Sequence, residues 1–422
     1  MPAMRTQSAF LLWLALAGPA GTDTNFRLFG NWLSVPAGLT AYAGDVSYVI
    51  VGTGQTKCYD DRHEIAPPEP GQPFYGQDAQ CRSKQLAYKD NGDGTISDLN
   101  TGLMWVQARG TKVTWDAAVA GAATCRVGGH SDWRMPAIKE LYSLINFNGG
   151  FHITAAASSP YLDTKFFGFA YGNEAAGERA IDCQDWSATT YVSTTMNGNP
   201  TAFGVNFADG RIKGYPKSIS RPGGVAVQKQ LYVRYVRGNP NYGKNDFHDN
   251  GDGTLTDRAT GLMWSKDDSG KGLDWQAALA WVQARNAEKY LGHNDWRLPH
   301  AKELQSLVDY TRAPAVTHSA ALDPLFQTTQ ISDGEYPFFW SSTTHLDGPP
   351  DRQGSAAVYV AFGRAQGWMQ FPPTFIHQLL DVHGAGAQRS DPKSGDPAAF
   401  PYGRGPQGDV IRIQNYVRLV RQ

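Results

Sequence analysis

The stretch DNGDGTISDLNTGLMW, Asp90 to Trp105, returns almost unchanged as DNGDGTLTDRATGLMW, Asp249 to Trp264. The recurrence continues in the same order along the chain. TWDAAVAGAATC from Thr114 matches DWQAALAWVQARNAEKY from Asp274, and HSDWRMPAIKELYSLINF from His130 matches HNDWRLPHAKELQSLVDY from His293. WSATTY from Trp186 matches WSSTTH from Trp340, and YVRYVRG from Tyr232 matches the closing YVRLVRQ. FYGQDAQ, around Tyr75 and Gly76, is echoed by NYGKNDF, around Tyr242 and Gly243. A unit this long is the size of a domain rather than of a solenoid repeat. The sequence therefore predicts an irregular segment over 21–74 and two tandem homologous domains over 75–238 and 242–422.

Residues 1–20 read differently. Arg5 precedes a short apolar run, AFLLWLALA from Ala9 to Ala17, and then the small residues GPAG. That pattern is expected of a secretory signal cleaved near Ala20, being too short to span a bilayer. No later stretch approaches spanning length, so the mature chain is expected to be exported without a transmembrane segment: periplasmic, secreted or at the cell surface. In an oxidising compartment Cys58, Cys81, Cys125 and Cys183 allow two disulfides in three connectivities. Chain proximity favours Cys58 with Cys81 and Cys125 with Cys183, the alternative being free buried thiols. A formal net charge of -1 argues against wholesale attraction to nucleic acid or an anionic membrane, though not against local patches.

Within the repeated motif, Asn91-Gly92 and Asp93-Gly94 are strong turn signals, and the β-favouring Thr95 and Ile96 follow directly. The motif is expected to be turn, short strand, turn, short strand. The competing reading is a calcium loop, since Asp90, Asp93 and Asp98, with Asp249, Asp252 and Asp257, offer hard oxygen ligands among glycines. The spacing lacks the alternate acids and final glutamate of an EF-hand, so the turn is favoured and calcium is the one cofactor the pattern admits.

Two helices are expected next in each copy. Trp115, Ala118, Val119 and Ala122 follow helical spacing, as do Trp275, Ala278, Leu279 and Val282. After Pro136, Ile138, Leu141, Leu144 and Ile145 form one apolar stripe, repeated by Leu304, Leu307 and Val308. Asp132 and Arg134 of DWRxP are expected to pair with each other or to satisfy loop backbone around a core Trp133. VNFADGRIKGY from Val205 and VAFGRAQGWMQ from Val360 read as hairpins, and YVRYVR and YVRLVR as half-buried strands. The layout is α+β.

DNGDGTxxDxxTGLMW, DWRxPxxKEL, WSxTT and a closing YVRxVR together resemble the Lcl C-terminal domain family, formerly a domain of unknown function and named after the end domain of a bacterial collagen-like surface adhesin. The resemblance covers both repeats, and TGQTKCYDD and GQPFYGQDAQ, from Thr53 and Gly71, are similar to sequence often found just upstream. It implies an exported bacterial protein and a C-type-lectin-like fold, with two helices packed on short, mostly antiparallel strands in each domain. The RMP and RLP helix starts are also similar to formylglycine-generating enzymes, which work through a cysteine pair near their C-terminal end. The second domain here has no cysteine, and Cys183 stands alone in the corresponding half of the first.

Other chemistries fail on spacing. His63-Glu64 does not continue into HExxH, and there is no GxSxG, GxxxxGK[ST] or CxxC. His130 and His293 recur in tight loops, as structural histidines do. No catalytic residue is assigned. The expectation is a non-enzymatic protein recognising extracellular glycan or matrix, with a structural or assembly role as the alternative and an enzyme on the formylglycine-generating-enzyme-like fold as the second. The candidate ligand surface is the basic run from Gly210 to Asn245, which contains no Asp or Glu. In it Arg211, Lys213, Lys217 and Arg221, with Tyr215 to stack on a sugar face, suit a polyanionic glycan. The bland alternative is a solvated loop and strand.

Overall fold

Each DNGDGT stretch folds as the turn of a hairpin. Gly92 and Gly94 take φ of 78° and 85°, and Gly251 and Gly253 take 78° and 87°, a region open to glycine without steric cost. Asn91 Nδ2 donates to Thr95 Oγ1 and Ser97 Oγ, both at 2.9 Å, and Asn250 makes the same pair of bonds to Thr254 and Thr256. This computed structural model describes residues 46–422 apart from 197, 221–225, 333 and 372, together with the backbone of 25–28 and 31–34. The chain divides into two units, Met1–Asp45 and Val46–Gln422. Of the first, an antiparallel pair, Asn25–Leu28 with Asn31–Ser34, is described. The signal expected over 1–20 lies outside the described residues.

The second unit is mixed α+β, with mostly antiparallel strands and few helices. Its first half contains β1 (Tyr88–Asp90), β2 (Thr95–Asp98), β3 (Leu103–Val106), α1 (Trp115–Ala122), α2 (Ile138–Ser143), β4 (Asp185–Thr195), β5 (Asn199–Asn206), β6 (Arg211–Pro216), β7 (Ser218–Ser220), β8 (Ala226–Gln228) and β9 (Val236–Gly238). The second half contains β10 (Phe247–Asp249), β11 (Thr254–Asp257), β12 (Leu262–Ser265), α3 (Trp275–Ala287), α4 (Ala301–Ser306), β13 (Phe338–His345), β14 (Ala356–Ala361), β15 (Gln366–Gln370), β16 (His377–Asp381), β17 (Gln388–Pro392) and β18 (Val420–Arg421). Each half closes a small sheet in the same order, β1-β2-β3-β9 and β10-β11-β12-β18, so the end of each repeat returns beside its opening motif.

The two copies are joined in one larger sheet, ordered β13-β14-β17-β6-β5-β4, whose seam is the antiparallel bridge Ile212 to Gln388. A single apolar cluster runs through both, including Trp105, Leu141 and Phe203 from one copy and Trp264, Leu304 and Phe339 from the other. Helices α2 and α4 meet across this junction. Lys139 Nζ donates to Ser306 O at 2.6 Å, and its counterpart Lys302 donates to Ser143 O at 2.7 Å. The exchange is that of a twofold dimer written into one chain. Lys139 also reaches Gly243 O at 3.0 Å and Lys302 reaches Gly52 O at 2.9 Å. The structural counterpart of Gly243 is thus Gly52, not the Gly76 that sequence echo suggests. Upstream residues lock the same junction: Gln55 Nε2 donates to Phe147 O and Thr344 O, and Thr53 and Thr343 both donate to buried Asp78.

Several local expectations change. In α3, Trp275, Ala278, Leu279 and Val282 are buried, but α1 buries Ala118 alone and leaves Val119 43 % exposed. The stretch from Val360 to Gln370 is no hairpin, because β14 pairs with β17 while β15 pairs with β16. Asp132 and Arg134 do not pair with each other. Arg134 forks onto Glu140 of α2 at 2.5 and 2.6 Å, Asp132 accepts from Arg237 at 2.7 Å, and Arg297–Glu303 and Asp295–Arg421 repeat both pairs. Nor do the YVRxVR segments alternate cleanly between core and solvent. Arg234 and Arg418 are fully buried, each tying up three backbone carbonyls, so a cation here is a bracket between the small sheet and a neighbouring loop.

Candidate functional site

The seam between β6 and β17 opens into a cleft of about 1490 Å³. Strand alternation directs side chains of both halves into it: Arg211, Lys213 and Tyr215 from β6, and Arg389 and Asp391 from β17. Loops add Asp209, Asp347, His383 and Asp409, and its margin carries Arg62, Arg179, Lys229 and Arg404.

Charges on the floor are tightly interlocked. Arg211 lies 2.5 Å from Asp347 and 3.3 Å from Asp209, and Lys213 lies 3.7 Å from Asp209. Arg389 pairs with Asp409, which also holds His383 Nε2 at 2.7 Å. Burial, with the repulsion of Arg389 behind it, pulls Lys213 down to about 7. Burial would raise Asp209, but Lys213 and Arg211 outweigh it and keep the carboxyl below its usual range. Burial pushes Asp391 up to about 6. Arg389 Nε and Nη1, Asp209 Oδ1, Asp391 Oδ1 and Tyr215 Oη have no hydrogen-bond partner among the described residues. All of these atoms are themselves buried, behind the open surface of the cleft rather than on it.

The basic run from Gly210 therefore does not form one patch. Arg211, Lys213 and Tyr215 reach the cleft together, but Lys217 Nζ sits 3.4 Å above the Trp115 ring, away from it. Arg221 lies outside the described residues. Tyr215 is buried with its ring edge-on to Trp186, and Lys229 lies 5.9 Å from its centroid, so it is wall rather than a free stacking face. Arg234 is core, and Arg237 is spent on Asp132. Arg389, His383, Asp409 and Arg404 were not legible as site residues. They come from a part of the second half with no run of like charge, and only the edge-to-edge joining of the copies brings them to β6.

Each repeated aspartate is occupied by its own turn. Asp90 accepts from Gly92 N, Asp93 from Thr95 N and Oγ1, and Asp98 from the amides of Asn100 and Thr101. Asp249, Asp252 and Asp257 repeat these roles with Gly251, Thr254 and Ala259, and Lys266 adds an ion pair to Asp249. Among the described residues no three carboxylate, imidazole or thiol groups converge as metal ligands. Neither expected disulfide is formed: Cys58, Cys81, Cys125 and Cys183 are four separate thiols. Cys183 Sγ is packed 3.7 Å from both Ala180 O and Asn206 Oδ1, and Cys81 Sγ lies 3.5 Å from Gln77 O. The WSxTT hydroxyls bond to backbone, as Ser187 does to Phe203 O and Ser341 to Val358 O, while Thr189 and Thr343 accept from the first amides of α2 and α4.

Among the described residues, no helix is long and apolar enough to cross a membrane. No curated protein and no solved structure matches the chain. A family model, the Lcl C-terminal domain, matches residues 94–237 and 253–375, which takes in β6 of the seam and ends before β17. These matches take in more than half of the 422 residues, and the chain belongs to the Lcl C-terminal domain family, carrying the domain as two tandem copies.

Proposed function

We propose that this is an exported, non-enzymatic binding protein of C-type-lectin-like architecture that recognises an anionic extracellular glycan in the cleft at the seam of its two copies. The observation that carries the reading is the composition of that cleft. Guanidinium and ammonium groups from both halves line it, eight Arg and Lys against six Asp. Lys229 and Arg404, on its margin, have no ion-pair partner among the described residues, so they are free to meet carboxylates or sulfates without first breaking a salt bridge. Two copies in one chain serve here to build a single site rather than to give avidity through two.

The test is binding of an oligouronate, a sulfated oligosaccharide and a neutral oligosaccharide of equal length to the exported chain, over a salt series with and without calcium. Charged ligands are expected to bind and to weaken with salt, as screening within about 10 Å requires. Failure of both charged glycans to bind, or binding indifferent to salt, contradicts the reading.

A further inference from the structure

The cleft is not uniformly polar. Its lining also includes Met196 at the β4–β5 turn, Ile219 of β7, and Met369 and Phe371 of the β15–β16 hairpin. That hairpin has no counterpart in the first copy, where β6 follows β5 directly and pairs with it; in the second, β17 takes the place beside β14 and the hairpin is looped out. From Gln366 to Leu380 its sequence, QGWMQFPPTFIHQLL, contains no Asp, Glu, Lys or Arg. An uncharged hairpin in a folded protein usually hides its side chains, yet Phe375 and Ile376 in its connecting loop are 59 % and 64 % exposed, and Ile219 opposite is 47 % exposed.

The charges of the cleft also have a definite sum. Eight Arg and Lys stand on its lining against six Asp, a formal surplus of positive charge, and Lys229 has no ion-pair partner among the described residues. A polyhydroxylated chain alone leaves those apolar side chains wet. An apolar ligand alone leaves the surplus positive charge of the cleft unanswered.

We propose that the cleft binds an amphipathic anion, with a carboxylate, sulfate or phosphate head held by its Arg and Lys groups, Lys229 among them, and an apolar body along Met196, Ile219, Met369 and Phe371. Such a group occurs as a free amphiphile or as the head and upper chain of an anionic lipid. The inference rests on the reading of the cleft as the ligand site, and adds a second class of ligand, an amphiphile, to the glycan proposed for it.

The experiment is calorimetric titration of the full chain with octanoate, decanoate and dodecanoate below their micelle concentrations, with dodecanol, glucuronate and an oligouronate as comparisons. Affinity is expected to rise about fourfold per added methylene, the factor for burying one CH₂. Dodecanol is expected to bind at least tenfold more weakly than dodecanoate. Lys229→Ala should weaken the alkanoates and spare dodecanol, whereas Phe371→Ser should flatten the chain-length series. Sedimentation with anionic vesicles then separates sources: co-sedimentation supports the lipid form, and alkanoate binding without it supports the free form. A flat chain-length series beside a bound oligouronate overturns the amphiphile and leaves the glycan reading standing. Dodecanol binding as tightly as dodecanoate overturns the head-group assignment, and failure of every ligand overturns both readings.

Discussion

Lys302 of the second copy donates its ammonium to the carbonyl oxygen of Ser143 in the first at 2.7 Å, where the last turn of α2 has no internal donor for it. Lys139 returns the contact to Ser306. The KEL lysine, repeated in both copies, is thus the clasp between them, and each replacement orphans buried carbonyls in the other copy. Lys302→Ala and Lys139→Ala should each cost about 2–4 kcal/mol, since an unmet buried polar group costs about 1–3 kcal/mol and each lysine serves two or more. In scanning calorimetry the loss should lower one common transition. A second, separate transition for the untouched copy would show that the copies fold independently.

Acid should open the molecule through the DWRxPxxKE pairs. Burial alone would raise Glu303, but the Arg297 guanidinium outweighs it and carries the carboxyl down to about 2, against 4.5 in an unfolded chain. A depressed carboxyl contributes stability that is complete above the unfolded value and is lost as pH falls from about 4.5 towards 2. His345, pulled down to about 4 by burial, acts with the same sign between 6.5 and 4, because the unfolded chain binds the proton first. Asp391, raised to about 6 by burial, acts with the opposite sign over the same range and offsets His345, so the fall in urea midpoint is expected as pH drops from about 4.5 towards 2. In Glu303→Gln the fall below 4.5 should be shallower than in the parent, and equal slopes would contradict the assignment.

The two glycines of the second DNGDGT turn should respond differently. A Cβ on Gly253 would lie 2.8 Å from Leu291 Cδ2, while one on Gly251 meets nothing within 4 Å; both have positive φ. Gly251→Ala should cost about 1–2 kcal/mol from the left-handed conformation alone, and Gly253→Val should cost more. Thermal melts with and without calcium measure both. A calcium-dependent rise that disappears in Asp252→Ala would favour the metal loop over the turn.

Four separate thiols make a counting prediction. Alkylation of the denatured chain without reductant should label all four. In the native state Cys58, Cys81 and Cys183 should react slowly, because burial raises all three, Cys81 and Cys183 to about 12, and disfavours the reactive thiolate. Recovery of only two labels after denaturation would restore a disulfide.

How much of this was written legibly in the chain depends on range. The turn at Asn91-Gly92, the start of α2 after Pro136 and the stripe of Ile138, Leu141 and Leu144 rest on interactions a few residues long, and local pattern carried them. Arg234 and Arg418 look like solvent-facing members of an alternating strand, and only the carbonyls brought in by distant loops make them core. Arg211, Lys213 and Tyr215 were legible as a basic run, but Lys217 turns aside to Trp115. The second half meets the cleft's β6 wall at β17, which reaches β6 through the single bridge Ile212 to Gln388. A repeat in sequence signals two like parts. It does not say that they share a sheet edge.

If both copies build one glycan site, oligouronate affinity should fall in each of two single variants, Lys229→Ala from the first half and Arg404→Ala from the second. Both residues line the cleft and neither has an ion-pair partner among the described residues, so each substitution breaks no salt bridge and removes one stacking contact, on Tyr215 at 5.9 Å and on Phe400 at 4.1 Å. Loss of affinity and a shallower salt dependence in both variants is the predicted result. Wild-type affinity in either one would contradict a shared site at the seam.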